Sequence, residues 1–102
     1  MTILEVLHSL GIPSNYMKFD RRVTPPYAVY YGAGQDQFIA DSGQYTKRNS
    51  YTVEYYFNEK DSTKEAELED AFTTHGFRYE KSEDVYIQDE KVDVIYYTVW
   101  RN

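Results

Sequence analysis

Residues 51–57, Tyr-Thr-Val-Glu-Tyr-Tyr-Phe, alternate in character along the chain. Tyr51, Val53, Tyr55 and Phe57 fall on one side, and Thr52, Glu54 and Tyr56 on the other. Successive strand side chains point to opposite faces, so this pattern specifies a strand with one face turned to a core. Such a strand needs neighbours in a sheet and a cover over its apolar face. Tyr27 to Tyr31 supplies one neighbour, with Tyr27, Val29 and Tyr31 on one face and Ala28 and Tyr30 on the other. Pro25-Pro26 just before it excludes a helix there and leads into extended chain.

The cover is legible as two helices. Residues 2–10 begin with Thr2 and Glu5 at capping-box spacing, and Ile3, Val6, Leu7 and Leu10 share one face. Gly11 and Pro13 stop this helix. Residues 62–75 repeat the design. Ser62 and Glu65 have capping-box spacing, Leu68, Ala71, Phe72 and His75 form the stripe, and Lys64, Glu67, Glu69 and Asp70 form the wet face. Gly76 ends a helix about 21 Å long.

Residues 14–24 have no clear period and contain the basic cluster Lys18, Arg21 and Arg22. After the second helix come Phe77 to Lys81, Val85 to Ile87, a polar turn at Gln88 to Lys91, and a strand from Val92 to Trp100. Val92, Val94, Tyr96 and Trp100 share one face of that strand, and Ile95, Tyr97 and Val99 the other. A strand apolar on both sides is central or covered by another subunit. The order is helix, strand, long loop, strand, helix, strand, strand. It predicts an α+β fold: a two-layer sandwich, mainly an antiparallel sheet of about four strands, with two helices on one face. At 102 residues, the chain is expected to form a single domain, residues 1–102.

Composition excludes some chemistry. There is no cysteine, hence no disulfide and no thiolate metal site. A net charge of −6 repels phosphate backbones, so no nucleic-acid partner is expected. No apolar run approaches a membrane span. Met1 to Glu5 lacks the basic start of a signal peptide, so the chain is expected to stay in the cytoplasm where it is made. The aromatic content is high, with 12 Tyr, 5 Phe and 1 Trp. A small core cannot enclose twelve tyrosines, and amphipathic rings half outside a core suit contact with another surface.

The segment Gly32-Ala33-Gly34-Gln35-Asp36-Gln37-Phe38-Ile39-Ala40-Asp41 follows a strand and holds two glycines, as phosphate loops do. It lacks the ensuing helix and the lysine that such a loop needs. Residues 32–50 are expected instead as a 19-residue connection between two paired strands, a length usually reserved for functional loops. Phe38, Ile39 and Tyr45 are apolar residues that a free loop would not keep in water. The connection either folds back on its own sheet or reaches a neighbouring subunit. Asp36 and Asp41 are better explained by turn formation than by catalysis or cation binding, since no third ligand or histidine is placed beside them. Glu83, Asp84, Asp89 and Glu90 are expected at solvated hairpin ends. His75 belongs to a helix C-terminus. No nucleophile motif occurs, so no enzyme and no cofactor are expected.

With this order of elements, the chain resembles the small tail-assembly proteins of long-tailed bacteriophages. These include tail terminators and the head–tail completion proteins of phages and prophages of Gram-positive bacteria. The resembling residues are PPYAVYYGAGQDQFIADSGQYTKRNSYTVEYYFNEKD, STKEAELEDAFTTHGF and YEKSEDVYIQDEKVDVIYYTVW, together with the first helix and its GIP. The resemblance implies a structural protein of the virion tail, assembled in the host cytoplasm. Its subunits would form a ring, a hexamer, that caps the tail tube, halts its growth and joins it to the head. A head–tail completion or connector role is the alternative. The implied partners are copies of itself, the tail tube protein and head–tail connector proteins. Carried onto this sequence, the assembly surface is Gln35, Asp36, Gln37, Phe38, Ile39 and Asp41, with Tyr45, Lys47 and Arg48. A rival from another class is an acidic DNA mimic that inhibits a DNA-binding enzyme. It fits less well, because Lys60, Lys64, Arg78, Lys81 and Lys91 interrupt the carboxylates.

Overall fold

The computed structural model describes residues 2–39 and 45–101; for 34–39 and 45–48 the description is of the backbone. Two helices, α1 (Ile3–Ser9) and α2 (Ser62–Thr74), accompany six strands. These are β1 (Ser14–Tyr16), β2 (Tyr27–Ile39), β3 (Tyr45–Phe57), β4 (Arg78–Lys81), β5 (Val85–Ile87) and β6 (Val92–Trp100). They form one mixed sheet in the order β1-β2-β3-β6-β4, with β5 pairing β6 beside β4. The fold is α+β, but the sheet has six strands rather than the expected four.

The additional strands are short. β1, three residues of mostly polar chain, pairs in parallel with Ala28, Val29 and Tyr30, and so short a run carries no readable period. β4 and β5 lie end to end along β6, opposite residues 97–100 and 92–94 respectively. β6 is thus a central strand, as its two apolar faces require.

A larger correction concerns residues 32–50. The chain does not leave the sheet at Tyr31. β2 continues to Ile39 and β3 begins at Tyr45, antiparallel throughout. The glycines account for the difference. Register steps between Gly32, opposite Tyr51, and Gly34, opposite Ser50, leaving Ala33 as the extra residue of a bulge. A bulge bends and twists a strand without ending it, and glycine inside a strand commonly marks one.

α1 is capped as its sequence requires. Glu5 N donates to Thr2 Oγ1 at 3.2 Å, and Thr2 N donates to Glu5 Oε1 at 3.0 Å. Gly11, at φ +72°, follows its C-cap Leu10, a left-handed position that glycine fills without strain. α2 departs from expectation at its start. Asp61, not Ser62, is the N-cap, and its carboxylate accepts from Lys64 N at 3.0 Å. Glu65 is therefore released from a capping box and turns inward, 3 % exposed.

The core joins both helices to alternate residues of the sheet. Ile3, Val6 and Leu7 of α1 and Leu68 and Phe72 of α2 cluster with Ala28, Val53, Tyr55, Phe57, Ile95, Tyr97 and Val99. Register accounts for the set: Ala28 lies opposite Tyr55, which lies opposite Ile95, and Val53 lies opposite Tyr97. Phe72 meets the rings of Tyr97 and Tyr79 at centroid separations of 5.7 and 6.2 Å.

Candidate assembly surfaces

Three regions are left for contact: an arm beyond the sheet, a tyrosine-bearing face, and the two lateral edges. The arm comes from strand lengths. β6 ends at Trp100, opposite Ser50, while β1 pairs only as far as Tyr30. Beyond these points β2 and β3 pair only with each other among the described residues. Gln35 lies opposite Asn49, Asp36 opposite Arg48, Gln37 opposite Lys47, Phe38 opposite Thr46, and Ile39 opposite Tyr45. These five residues of each strand make a ribbon about 17 Å long. The molecule accordingly measures 49 × 25 × 25 Å. Its radius of gyration, 14.8 Å, exceeds the value of about 13 Å for a compact domain of this length. Of the nine expected assembly positions, eight lie on this arm and Asp41 lies outside the described residues. Asp36 is a strand residue rather than a turn former.

The second region is the sheet face opposite the core cluster, which carries Tyr27, Tyr31, Glu54, Tyr56 and Tyr96. The hydroxyls of Tyr31 and Tyr56 both donate to the Glu54 carboxylate, one to each oxygen. Tyr27 stacks on Tyr56 at 4.8 Å, and Phe19 meets Tyr27 edge-on at 5.7 Å. Donation to Glu54, aided by burial, pushes the Tyr31 phenol up to about 12. Burial and the same carboxylate raise Tyr56 as well. These phenols are neutral, hydrogen-bonded platforms rather than acids or bases. A concavity of about 350 Å³ separates this face from residues 17–23; Lys18, Arg21 and Arg22 line one side, and Glu54 and Glu90 the other.

Beneath α2 the acidic helix reveals two carboxylates that periodicity alone assigned wrongly. Glu65 accepts from Lys60 Nζ at 2.9 Å and from Lys81 Nζ at 3.0 Å. Its second oxygen lies 2.9 Å from Lys60 Nζ but out of hydrogen-bond alignment. Glu69, expected on the wet face, accepts from Tyr97 Oη at 2.8 Å, Lys81 Nζ at 2.9 Å and Tyr79 Oη at 3.3 Å. Burial would raise the Glu69 carboxyl, yet these donors outweigh it and hold it below the usual carboxylate value. Burial would likewise lower Lys81, and its two carboxylates outweigh that too. Asp84 pairs with Lys60 at 2.9 Å instead of standing free at a hairpin end. The signal was present in the spacing: 65, 68, 69 and 72 occupy one helical face. The network fixes α2 to β4 and β6 and, through Asp84, to the chain leading into β5.

The two histidines have local roles. His75 is the C-cap of α2, and its carbonyl accepts from Arg101 Nη1 at 3.3 Å. His8 Nε2 lies 3.4 Å from the Ser14 carbonyl. Among the described residues, no group of three or more His, Asp or Glu is placed to hold a metal ion. No described helix is long and apolar enough to cross a membrane. Comparison with models of known protein families and with curated protein sequences finds no match to this chain.

Proposed function

We propose that this protein is a structural component of a bacteriophage or prophage tail, a ring-forming terminator that caps the tail tube and joins it to the head. The observation that carries this reading is the β2–β3 arm. A ribbon of about 17 Å that runs past the ends of β1 and β6 offers strand surface for pairing or packing with a neighbour. The resemblance in sequence supplies the kind of neighbour: copies of the same subunit and the end of a tube. In this reading the domain is a two-layer sandwich, with both helices on one sheet face and the tyrosines of the other available as contact anchors. A head–tail completion role would use the same surfaces with a different partner.

The DNA-mimic reading is disfavoured by the arrangement of charge. Glu65, Glu69 and Asp84 are engaged by Lys60 and Lys81, so they do not belong to a free acidic stripe.

Mixing the protein with purified tail tube protein tests the proposal. A terminator arrests tube elongation and appears as rings at tube ends in electron micrographs. Particles lacking the gene product would carry overlong, headless tubes. Filled heads beside unjoined tails of normal length would indicate the completion role. Unaltered tubes together with salt-sensitive inhibition of a DNA-binding enzyme would overturn the tail reading altogether.

A further inference from the structure

The lateral edges of the sheet differ in charge and share exposed apolar side chains. At one edge, β1 and the residue after it expose Tyr16 and Met17, each by 55 %. Residues 17–22 then bring Lys18, Arg21 and Arg22 against a single carboxylate, Asp20. At the other edge, β5 exposes Val85 by 38 % and Tyr86 by 58 %. Residues 78–90 hold five carboxylates against two cations. Lys81 is turned to Glu65 and Glu69 and Asp84 to Lys60, which leaves Glu80, Glu83, Asp89 and Glu90 against Arg78 and the adjoining Lys91. Four of the five largest exposed apolar side chains among the described residues thus lie at the two edges, and the fifth, Tyr96, is on β6.

We propose that these edges are the two halves of a head-to-tail contact between copies of this chain, the basic β1 edge of one against the acidic β4–β5 edge of the next. Charge decides the geometry. A two-fold contact would set each edge against its own like charge, which is unfavourable, whereas the unlike edges attract. Glu80 and Glu83, on the β4 side, cannot meet the basic segment of their own copy. The edges are separated by three strands, about 19 Å from β1 to β4. Glu90 lines the same concavity as Lys18, Arg21 and Arg22, yet no ion pair joins them among the described residues. A heterologous contact of this kind closes into a ring when the rotation between neighbours permits. The inference rests on the ring reading above and names the surfaces that build the ring.

Lys18→Glu/Arg21→Glu alters the basic edge, and Glu80→Lys/Glu83→Lys the acidic one. None of these four side chains makes a hydrogen bond or ion pair among the described residues, so both variants should fold, as circular dichroism would verify. Sedimentation at low ionic strength and high protein concentration is the readout. The wild-type chain should self-associate, and salt should weaken that association. Each double variant should lose it by at least about tenfold, and their equimolar mixture and the chain carrying all four changes should regain it. If both double variants assemble like the wild type, the edge contact is wrong while a ring built through the arm survives. A mixture that forms dimers only would overturn the head-to-tail order. A wild-type chain that stays monomeric at every concentration and leaves tubes unaltered would sink both readings.

Discussion

Replacing Glu65 probes whether α2 is fastened by a buried ion pair. Glu65 is 3 % exposed on the face that also carries Leu68 and Phe72, and two lysine ammonium groups donate to it. Glu65→Ala removes both charge-assisted bonds, each of which costs about 1.5–3 kcal/mol to break. Breaking a fully buried pair would cost more, about 3–5 kcal/mol, because the partner charge is stranded. Here it is not stranded. Lys60 and Lys81 side chains are 47 % and 33 % exposed, and they keep Asp84 and Glu69 as partners. The expected net loss is about 2–3 kcal/mol, including the small cavity left behind. Glu65→Leu fills that cavity and removes the desolvation penalty of the carboxylate, so it should fall within about 1 kcal/mol of the wild type. Urea unfolding followed by Trp100 fluorescence and far-UV circular dichroism measures both. Thermal scans should show Glu65→Ala lowered by roughly 8–16 °C per 2 kcal/mol. If alanine and leucine are both indistinguishable from wild type, the carboxylate stands in water and the inward face of α2 has been misassigned.

Leu68→Ala and Phe72→Ala, both at positions with no exposure, should each lower unfolding free energy by about 2–5 kcal/mol; neutral results in denaturant titrations would remove α2 from the core. Deleting residues 35–47 should leave a cooperatively folding domain that no longer assembles, since Ser50 still lies opposite Trp100; loss of the cooperative transition would make the arm part of the core. Alkali should destabilise the fold. Tyr31 and Tyr55 are raised from 10.0 to about 12, so their contribution is present below pH 10 and lost as pH rises through about 12. Tyrosinate absorbance against stability should show this, and Tyr31→Phe should remove the Tyr31 share; a flat alkaline limb would refute the Glu54 hydrogen bond.

Much of the architecture was legible because it rests on short-range rules. The alternation of 51–57 and 92–100, the Thr2–Glu5 box and the glycine after each helix each act within a few residues. What could not be read depended on neighbours distant in sequence. β1 is a strand only because Ala28 to Tyr30 offer it hydrogen bonds, and nothing in Ser14-Asn15-Tyr16 announces that. The Gly32–Gly34 bulge bends a strand that continues, and glycines alone do not distinguish that from a loop. That the expected assembly residues stand on facing strands of a protruding ribbon was not legible in sequence, because it depends on β2 and β3 pairing past the ends of β1 and β6.

Sequence by itself determined where the helices, β6 and the portions 27–31 and 51–57 of β2 and β3 lie, because propensity, capping and periodicity are local properties of the chain. The tertiary structure alone decided which charges are buried. Glu65 and Glu69 resemble ordinary wet helix residues until Lys60, Lys81 and Tyr97, brought close by the folding of β4 and β6 beneath the helix, supply the donors that make burying a carboxylate tolerable.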